Sequence, residues 1–454
     1  MSKYKYSKAE QEINNVLKYH DERLKNISFP DAKIAEKQIQ ESEDLLRLLG
    51  KKDLSGRNAT PVKQSKQVVV VPSWDELSKK AEQTVGGDVQ LEDIFTPAEL
   101  KASQDYVIKL NAEYNQIHHL DKYDIAISVS AGLLAAAVDI LMVGVPQKTP
   151  EGLKGGPLAN YIRDWFDKKY PEEEMEKLAN SRVSKVPFDA QDNRNTTIYV
   201  EGLSAYYHRM LSLGHDPLLG FLFGVIDIMT GRMTTIDKAG NIVSQVMENY
   251  ADRTEADVFK AIAKQVVHFK SDITTSMGLP APMMALFNLM QFGSIGEEEQ
   301  TVAEIVQGMY YEGYDFIHFC TLSIPVMIIE LVTRIGYAIK RIKEGYPVKE
   351  SIPFSVDHEK HPKLGTMLFI AHSAATAMNT GKILFTKNPM AINYPQWIAF
   401  AKYSYTQLKW ILVEKPAARE KYVNGILDDQ MEQVYSIVDE NFSKWSQNYV
   451  VVMG

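Results

Sequence analysis

Apolar residues recur at helical spacing over most of the chain. Ile13, Val16, Leu17, His20 and Leu24 share one face of a first helix. Pro30 breaks the pattern, and a second stretch ends in Leu45, Leu46, Leu48 and Leu49, so residues 1–50 predict a helical hairpin. Gly50–Lys66, with Gly56, Asn58 and Pro61, reads as a linker, and Val68–Val71 is a short β-prone run. Ser73-Trp74-Asp75-Glu76 has the reciprocal Ser/Glu spacing of a helix start. Thr96-Pro97-Ala98-Glu99 is another start, with Pro at the first helical position. The helix behind it aligns Leu100, Val107, Leu110, Tyr114 and Ile117 as a packing stripe. From Tyr123 onward long apolar helices dominate, interrupted at Pro146–Pro157, Gly278–Pro282 and Tyr346–Pro353. Met233–Val243 is the exception and predicts two short strands around a turn. Pro325 is expected to kink a helix running from about Tyr314 to Lys343.

These patterns predict a mainly α, multi-helical globular bundle with an N-terminal helical hairpin and one short β-hairpin. The expected division is a hairpin over 1–50, a linker with a short helix over 51–95, and a large helical domain over 96–454. At 454 residues, 45% hydrophobic and 24% charged, the chain is able to bury a sizeable core. The net charge is −8, with acids and bases mixed and no basic stripe, which excludes phosphate-neutralising nucleic-acid binding as the organising function. The single cysteine, Cys320, lies in an apolar stretch and reads as a packing residue. A disulfide within the chain is excluded, which fits a reducing compartment. No apolar run follows the charged N-terminus, so no secretory signal is expected. Ile125–Val145 is long enough to span a bilayer but carries Asp139, and a buried core helix is the favoured reading.

The chemistry lies where acids and histidines interrupt apolar helices. An isolated charge costs on the order of several kcal/mol to bury unless it is paired or bound to metal. A first block runs from Ser128 through Gly132 and a set of alanines to Asp139, and its small residues allow another backbone to approach closely. A second contains His208-Arg209 and, seven residues beyond His208, His215-Asp216-Pro217; an unbroken helix would put both histidines on one face. Asp216 before Pro217 equally matches a helix N-cap. The third and most specific block is His268-Phe269-Lys270-Ser271-Asp272, followed by Thr275, Gly278 and Pro282; helical spacing sets imidazole and carboxylate side by side, where they can share a metal ion or simply a hydrogen bond. A fourth, around His372, fits a satisfied core histidine. The Gly-x-x-x-x-Gly-Lys, His-Glu-x-x-His, Gly-x-Ser-x-Gly and paired Cys-x-x-Cys signatures do not occur, and Gly152–Gly156 has no predicted strand before it.

In their order, these blocks resemble the YdjM-type bacterial inner-membrane metal-dependent hydrolases over residues 124–285. That group has a small-residue helix ending in acid, a His-Arg motif followed by a second His, and His-x-x-x-Asp-x-x-Thr with Gly and Pro beyond. The corresponding positions here are Gly132–Asp139, His208-Arg209 with His215, and His268–Asp272 with Thr275, Gly278 and Pro282. The interval from His208 to His215 is longer than in the family's motif. The chain is more remotely similar to helical zinc phospholipase C-like proteins. The resemblance implies metal-assisted hydrolysis of a phosphoester or lipid headgroup, with Zn²⁺ first and Mn²⁺ or Mg²⁺ as substitutes. It implies His215, His268 and Asp272 as ligands, and Asp139 and Asp216 as further ligands or orienting groups. His208 would be a ligand or general acid, and Arg209 would hold an anionic substrate oxygen. The setting would be the cytoplasm, peripheral to or embedded in the inner membrane.

Two other readings fit the same pattern. One is a non-enzymatic membrane-associated protein that inserts its Ala/Gly-rich segments Ile125–Val145, Pro217–Met229 and Thr366–Ala377. The other is a helical scaffold that binds partners or oligomerises through the N-terminal hairpin.

Overall fold

The structure is a computed structural model and describes residues 5–25, 30–49, 67–150, 152–275, 277–295, 299–447 and 449–453. The chain divides into two units, residues 1–116 with 415–454, and residues 117–414. The Gly50–Lys66 linker lies outside the described residues.

The first unit starts with helices α1 (Lys8–Lys25) and α2 (Pro30–Leu48), strand β1 (Gln67–Val71), α3 (Trp74–Val85) and α4 (Pro97–Ile117). Both predicted helix starts are capped as their sequences suggest. Ser73 Oγ accepts from Glu76 N, and Thr96 and Glu99 exchange bonds across the first turn of α4. Of the expected α1 stripe only Val16 is buried: Val16 and Tyr19 pack with Ala81, Leu77 and Val85, while Ile13, Leu17, His20 and Leu24 stay exposed. The helix that covers Val16 and Tyr19 thus lies beyond the linker in sequence. The apolar end of α2 leaves Leu45, Leu48 and Leu49 exposed.

The second unit contains α5 (Lys122–Val138), the hairpin β2 (Gln147–Thr149) and β3 (Gly152–Lys154), α6 (Pro157–Lys169), α7 (Glu172–Ala179), α8 (His208–Leu211) and α9 (Phe223–Thr230). It continues with the hairpin β4 (Arg232–Ile236) and β5 (Ile242–Val246), then α10 (Val258–Asp272), α11 (Val302–Tyr311), α12 (Phe316–Lys343), α13 (Val348–Ser351), α14 (Leu364–Thr386) and α15 (Tyr394–Lys409). The β4–β5 hairpin matches the sequence expectation. The three-residue strand β3 does precede Gly155-Gly156, but in an antiparallel hairpin rather than a dinucleotide-binding unit. The chain then returns to the first unit through α16 (Lys415–Ser446) and β6 (Tyr449–Met453), which pairs parallel with β1 from Gln67↔Tyr449 to Val71↔Met453. Tyr422 on α16 meets Tyr114 on α4, and Gln430 bonds Tyr106, so the large helical domain expected from residue 96 begins instead at 117.

Helices α5, α12, α14 and α15 pack on one another as a bundle. Its seam is built from Ala131, Ala135, Ile329, Ala371 and Ala375. Gly132 shows why small residues are needed there: an added Cβ would lie 2.4 Å from the Ala371 carbonyl oxygen. Two stretches, within Pro97–Val143 and in Phe316–Lys343, are long and apolar enough to cross a membrane by length and composition. Helix α12 continues through Pro325.

Beside the bundle lies a second core of Val186, Phe188, Val200, Leu211, Val225, Ile228 and Met233, contributed by irregular segments, α9 and the β4–β5 hairpin. The candidate site adjoins this core.

Candidate metal centre

Helix α10 supplies two of the side chains. Asp257 caps it, its carboxylate accepting from Phe259 N at 2.8 Å and Lys260 N at 3.1 Å. Helical periodicity then places Gln265, His268 and Asp272 on one buried face. The second block behaves differently from a continuous helix. Helix α8 lasts one turn, Ser212 leaves the helical region, and His215 sits on a 3₁₀ turn over Leu213–His215. That turn is held by Ser212 Oγ accepting from Gly214 N and by Gln265 Nε2 donating to the Gly214 carbonyl at 2.7 Å. A Cβ on Gly214 would fall 2.5 Å from the Phe188 ring, so glycine is what lets His215 approach α10. Phe188 in turn presents ring edges to His215 and His268, with centroids 5.1 and 5.3 Å away. Its burial delivers the next residue, Asp189, to the same place.

Five side chains converge. His208 Nε2 lies 3.4 Å and His215 Nε2 3.5 Å from Asp189 Oδ1. His215 Nε2 lies 3.7 Å and His268 Nε2 3.5 Å from Asp272 Oδ2. Within each of the triads Asp189–His208–His215 and His215–His268–Asp272, the ligand atoms are all within 4.8 Å of one another. The tautomers follow from the other ring nitrogens. His208 Nδ1 bonds the Ala205 carbonyl at 2.9 Å, and His268 Nδ1 bonds the Ser184 carbonyl at 3.0 Å. A carbonyl only accepts, so each Nδ1 carries the proton, and in the neutral ring each Nε2 turns a bare lone pair inward. Burial pushes His215 down to about 3, despite the opposing pull of Asp189, so this imidazole is neutral near pH 7. Burial would raise the Asp189 carboxyl, but its contacts with the His208 and His215 rings outweigh that and hold it well below the usual carboxylate range.

Lone pairs facing one another at 3.4–3.7 Å repel unless a cation lies among them. These separations match the edge of a tetrahedron around Zn²⁺, about 3.3–3.4 Å for metal–ligand bonds near 2.05 Å. The buried atoms His208 Nε2, His215 Nε2, His268 Nε2 and Asp272 Oδ2 also have no hydrogen-bond partner. The donor set therefore fits a divalent cation of the zinc type.

Arg209 stands behind the ligands. Its Nη2 is 3.1 Å from Asp272 Oδ1, while Nη1 donates to Thr275 Oγ1 at 2.5 Å and to the Gly278 carbonyl at 3.2 Å. It orients Asp272, leaving Oδ2 turned toward the histidines. The Thr275 and Gly278 of the sequence motif are thereby explained as anchors of that arginine. His208 is a member of the candidate triad with Asp189 and His215.

Two expected ligands are engaged elsewhere. Both Asp139 oxygens are occupied in the bundle, Oδ1 by Asn393 Nδ2 and Oδ2 by Asn379 Nδ2 and Lys382 Nζ. Asp216 Oδ1 accepts from Leu218 N and Leu219 N, both at 2.9 Å, as a turn cap. Neither belongs to a potential metal-holding triad among the described residues. His372 is a core histidine, bonded to Gln396 and stacked on Tyr403.

Asp189 was not anticipated. It sits in an irregular segment without periodicity, where the short apolar pair Val186 and Phe188 was its only local signal. It is also the exposed member: 19% of its side chain is accessible, against 3% or less for the other four. It lines a cavity of about 480 Å³ whose rim includes Lys185, Tyr250 and Arg253. No protein family, curated protein or solved structure matches this chain.

Proposed function

We propose that the chain is a metal-dependent hydrolase acting on a phosphoester at or within a membrane. The observation that carries the reading is the convergence of three imidazole Nε2 atoms and two carboxylates, buried and without hydrogen-bond partners for four of those atoms. Keeping such a group without a cation would cost about 1–3 kcal/mol for each unsatisfied atom. His208, His215, His268, Asp189 and Asp272 would hold the ion. When bound, a zinc-type ion brings the pKa of site water toward ~7 and polarises the scissile group. The protein contributes fixed tautomers at His208 and His268, an Asp272 locked by Arg209, and a partly exposed Asp189 on a cavity wall.

The membrane setting is supported by the bundle. Only 33% and 39% of the two long apolar stretches are buried. Met327, Leu331, Ile335 and Ile339 form an exposed stripe on α12, joined by Leu133 and Leu134 on α5 and Leu384 and Phe385 on α14. The charged pair Asp139–Lys382 faces inward, the arrangement that suits a helix bundle in lipid. Helix α12, at 28 residues, is about 42 Å long, ample for a hydrocarbon core of about 30 Å.

The test is hydrolysis of p-nitrophenyl phosphate by full-length protein, either loaded with Zn²⁺ or Mn²⁺ or stripped by chelator. Activity should require the metal and fall at least 100-fold in His268→Ala. Equal rates with and without metal would refute the reading.

A further inference from the structure

The cavity at Asp189 points to the charge of the substrate, an inference that rests on the metal-centre reading above. Of the five converging side chains Asp189 has the most exposure, and it lines this cavity. Two cations line this cavity, Lys185 and Arg253. Among the described residues neither is in an ion pair. Arg253 lies only over the Tyr250 ring, 5.8 Å from its centroid, and Lys185 is half-buried just before the segment that carries Asp189. The other carboxylate on the wall, Asp192, is already bound by Arg194 through two nitrogens.

The balance of charge at the mouth follows. Asp189 and Asp272 together match one divalent ion, and Asp272 is additionally neutralised by Arg209. Lys185 and Arg253 are left over in the cavity that Asp189 lines, whose volume of about 480 Å³ is too large for water alone and suits a small headgroup. A forked guanidinium and an ammonium on one rim are the chemistry that recognises phosphate oxygens. We infer that this cavity is the substrate subsite and that it takes a terminal, dianionic phosphate monoester, held by Lys185 and Arg253 over the metal centre. Such a group occurs on soluble esters and on phosphatidic-acid-type lipids, and the recognition chemistry is common to both.

Inorganic phosphate titrated calorimetrically into full-length protein, metal-loaded and metal-stripped, tests this. Metal content is measured alongside by elemental analysis. The metal-loaded wild type should bind one phosphate, and Lys185→Met/Arg253→Met should weaken that binding at least tenfold while its metal content and melting temperature stay unchanged. Lys185→Arg, which keeps the charge, should bind within about threefold of wild type. Failure of wild type to bind phosphate, equal affinity in the double variant, or an equal loss in Lys185→Arg and Lys185→Met would each overturn the inference. Wild type without metal would instead count against the metal centre itself, and that result is read independently. Phosphatidylcholine vesicles with and without phosphatidic acid then separate the sources. Binding that depends on both phosphatidic acid and the two cations indicates the lipid, and binding of free phosphate alone indicates a soluble ester.

Discussion

His215 offers two buried ring nitrogens, and neither has a hydrogen-bond partner. In a metal-free core this would be a costly defect; a cation would satisfy Nε2, the nitrogen that faces Asp189 and Asp272. Residues around it divide into those that touch the centre and those that hold its ligands. Arg209→Met should lower metal affinity by about 10–100-fold, because Asp272 loses the partner that aims its free oxygen. Asp216→Ala should instead cost about 0.5–2 kcal/mol of stability in denaturant titration and leave metal affinity unchanged, because Asp216 is a cap. If Asp216→Ala abolished metal binding, its assignment as a cap would be wrong. The sequence made His268 and Asp272 legible because four-residue spacing on a helix fixes their proximity. Asp139 looked equally suitable at the end of an apolar helix, yet its partner Lys382 lies 243 residues further along the chain, and no local pattern reports such a pairing. Asp189 was hidden for the converse reason, since a loop residue has no period to read.

At the scale of elements, helix existence was plain from apolar spacing and caps, while helix partners were not. The α1 stripe was visible, but α3 covers only Val16 of it, together with Tyr19, and leaves Ile13, Leu17 and Leu24 exposed, because apolar periodicity does not state which partner covers a face. The turn from α8 to His215 likewise depends on Gly214 fitting beneath the Phe188 ring, a tertiary constraint. The junction of α9 with the β4–β5 hairpin carries a pH dependence of its own. Asp227 accepts from Thr234 N and Thr234 Oγ1 at 2.8 and 2.7 Å, yet burial raises it to about 7. Unfolded, it titrates near the ordinary value of about 4. Between these two values the folded state holds the proton and the unfolded state does not, so Asp227 makes stability fall as pH rises from about 4 to about 7. Asp227→Asn mimics the protonated side chain. Thermal melts at pH 5 and pH 8 should show a smaller pH-dependent loss in the variant, by about 2–4 °C for each kcal/mol removed. An identical pH response in both proteins would contradict this assignment.

The second unit combines a polar, histidine-rich site with a bundle that exposes large apolar side chains. Its mainly helical class was legible from composition and periodicity. The boundary at 117 was not, because it depends on α16 and β6 returning to the first unit. A core-helix reading of Ile125–Val145 accounts for the close α5–α14 seam, but leaves exposed Leu133, Leu134 and Leu141 without cover. If lipid covers them, full-length protein expressed in a bacterium should stay in the membrane fraction through an alkaline carbonate wash and come out only in detergent; release by the wash would contradict membrane embedding. The metal centre is independent of that outcome and is tested by metal content. Full-length protein purified without chelator and analysed by inductively coupled plasma mass spectrometry should hold at least one zinc-type ion per chain, and His215→Ala, folded by circular dichroism, should hold none. A metal-free wild type that also fails to take up Zn²⁺ or Co²⁺ on titration would contradict the existence of the centre.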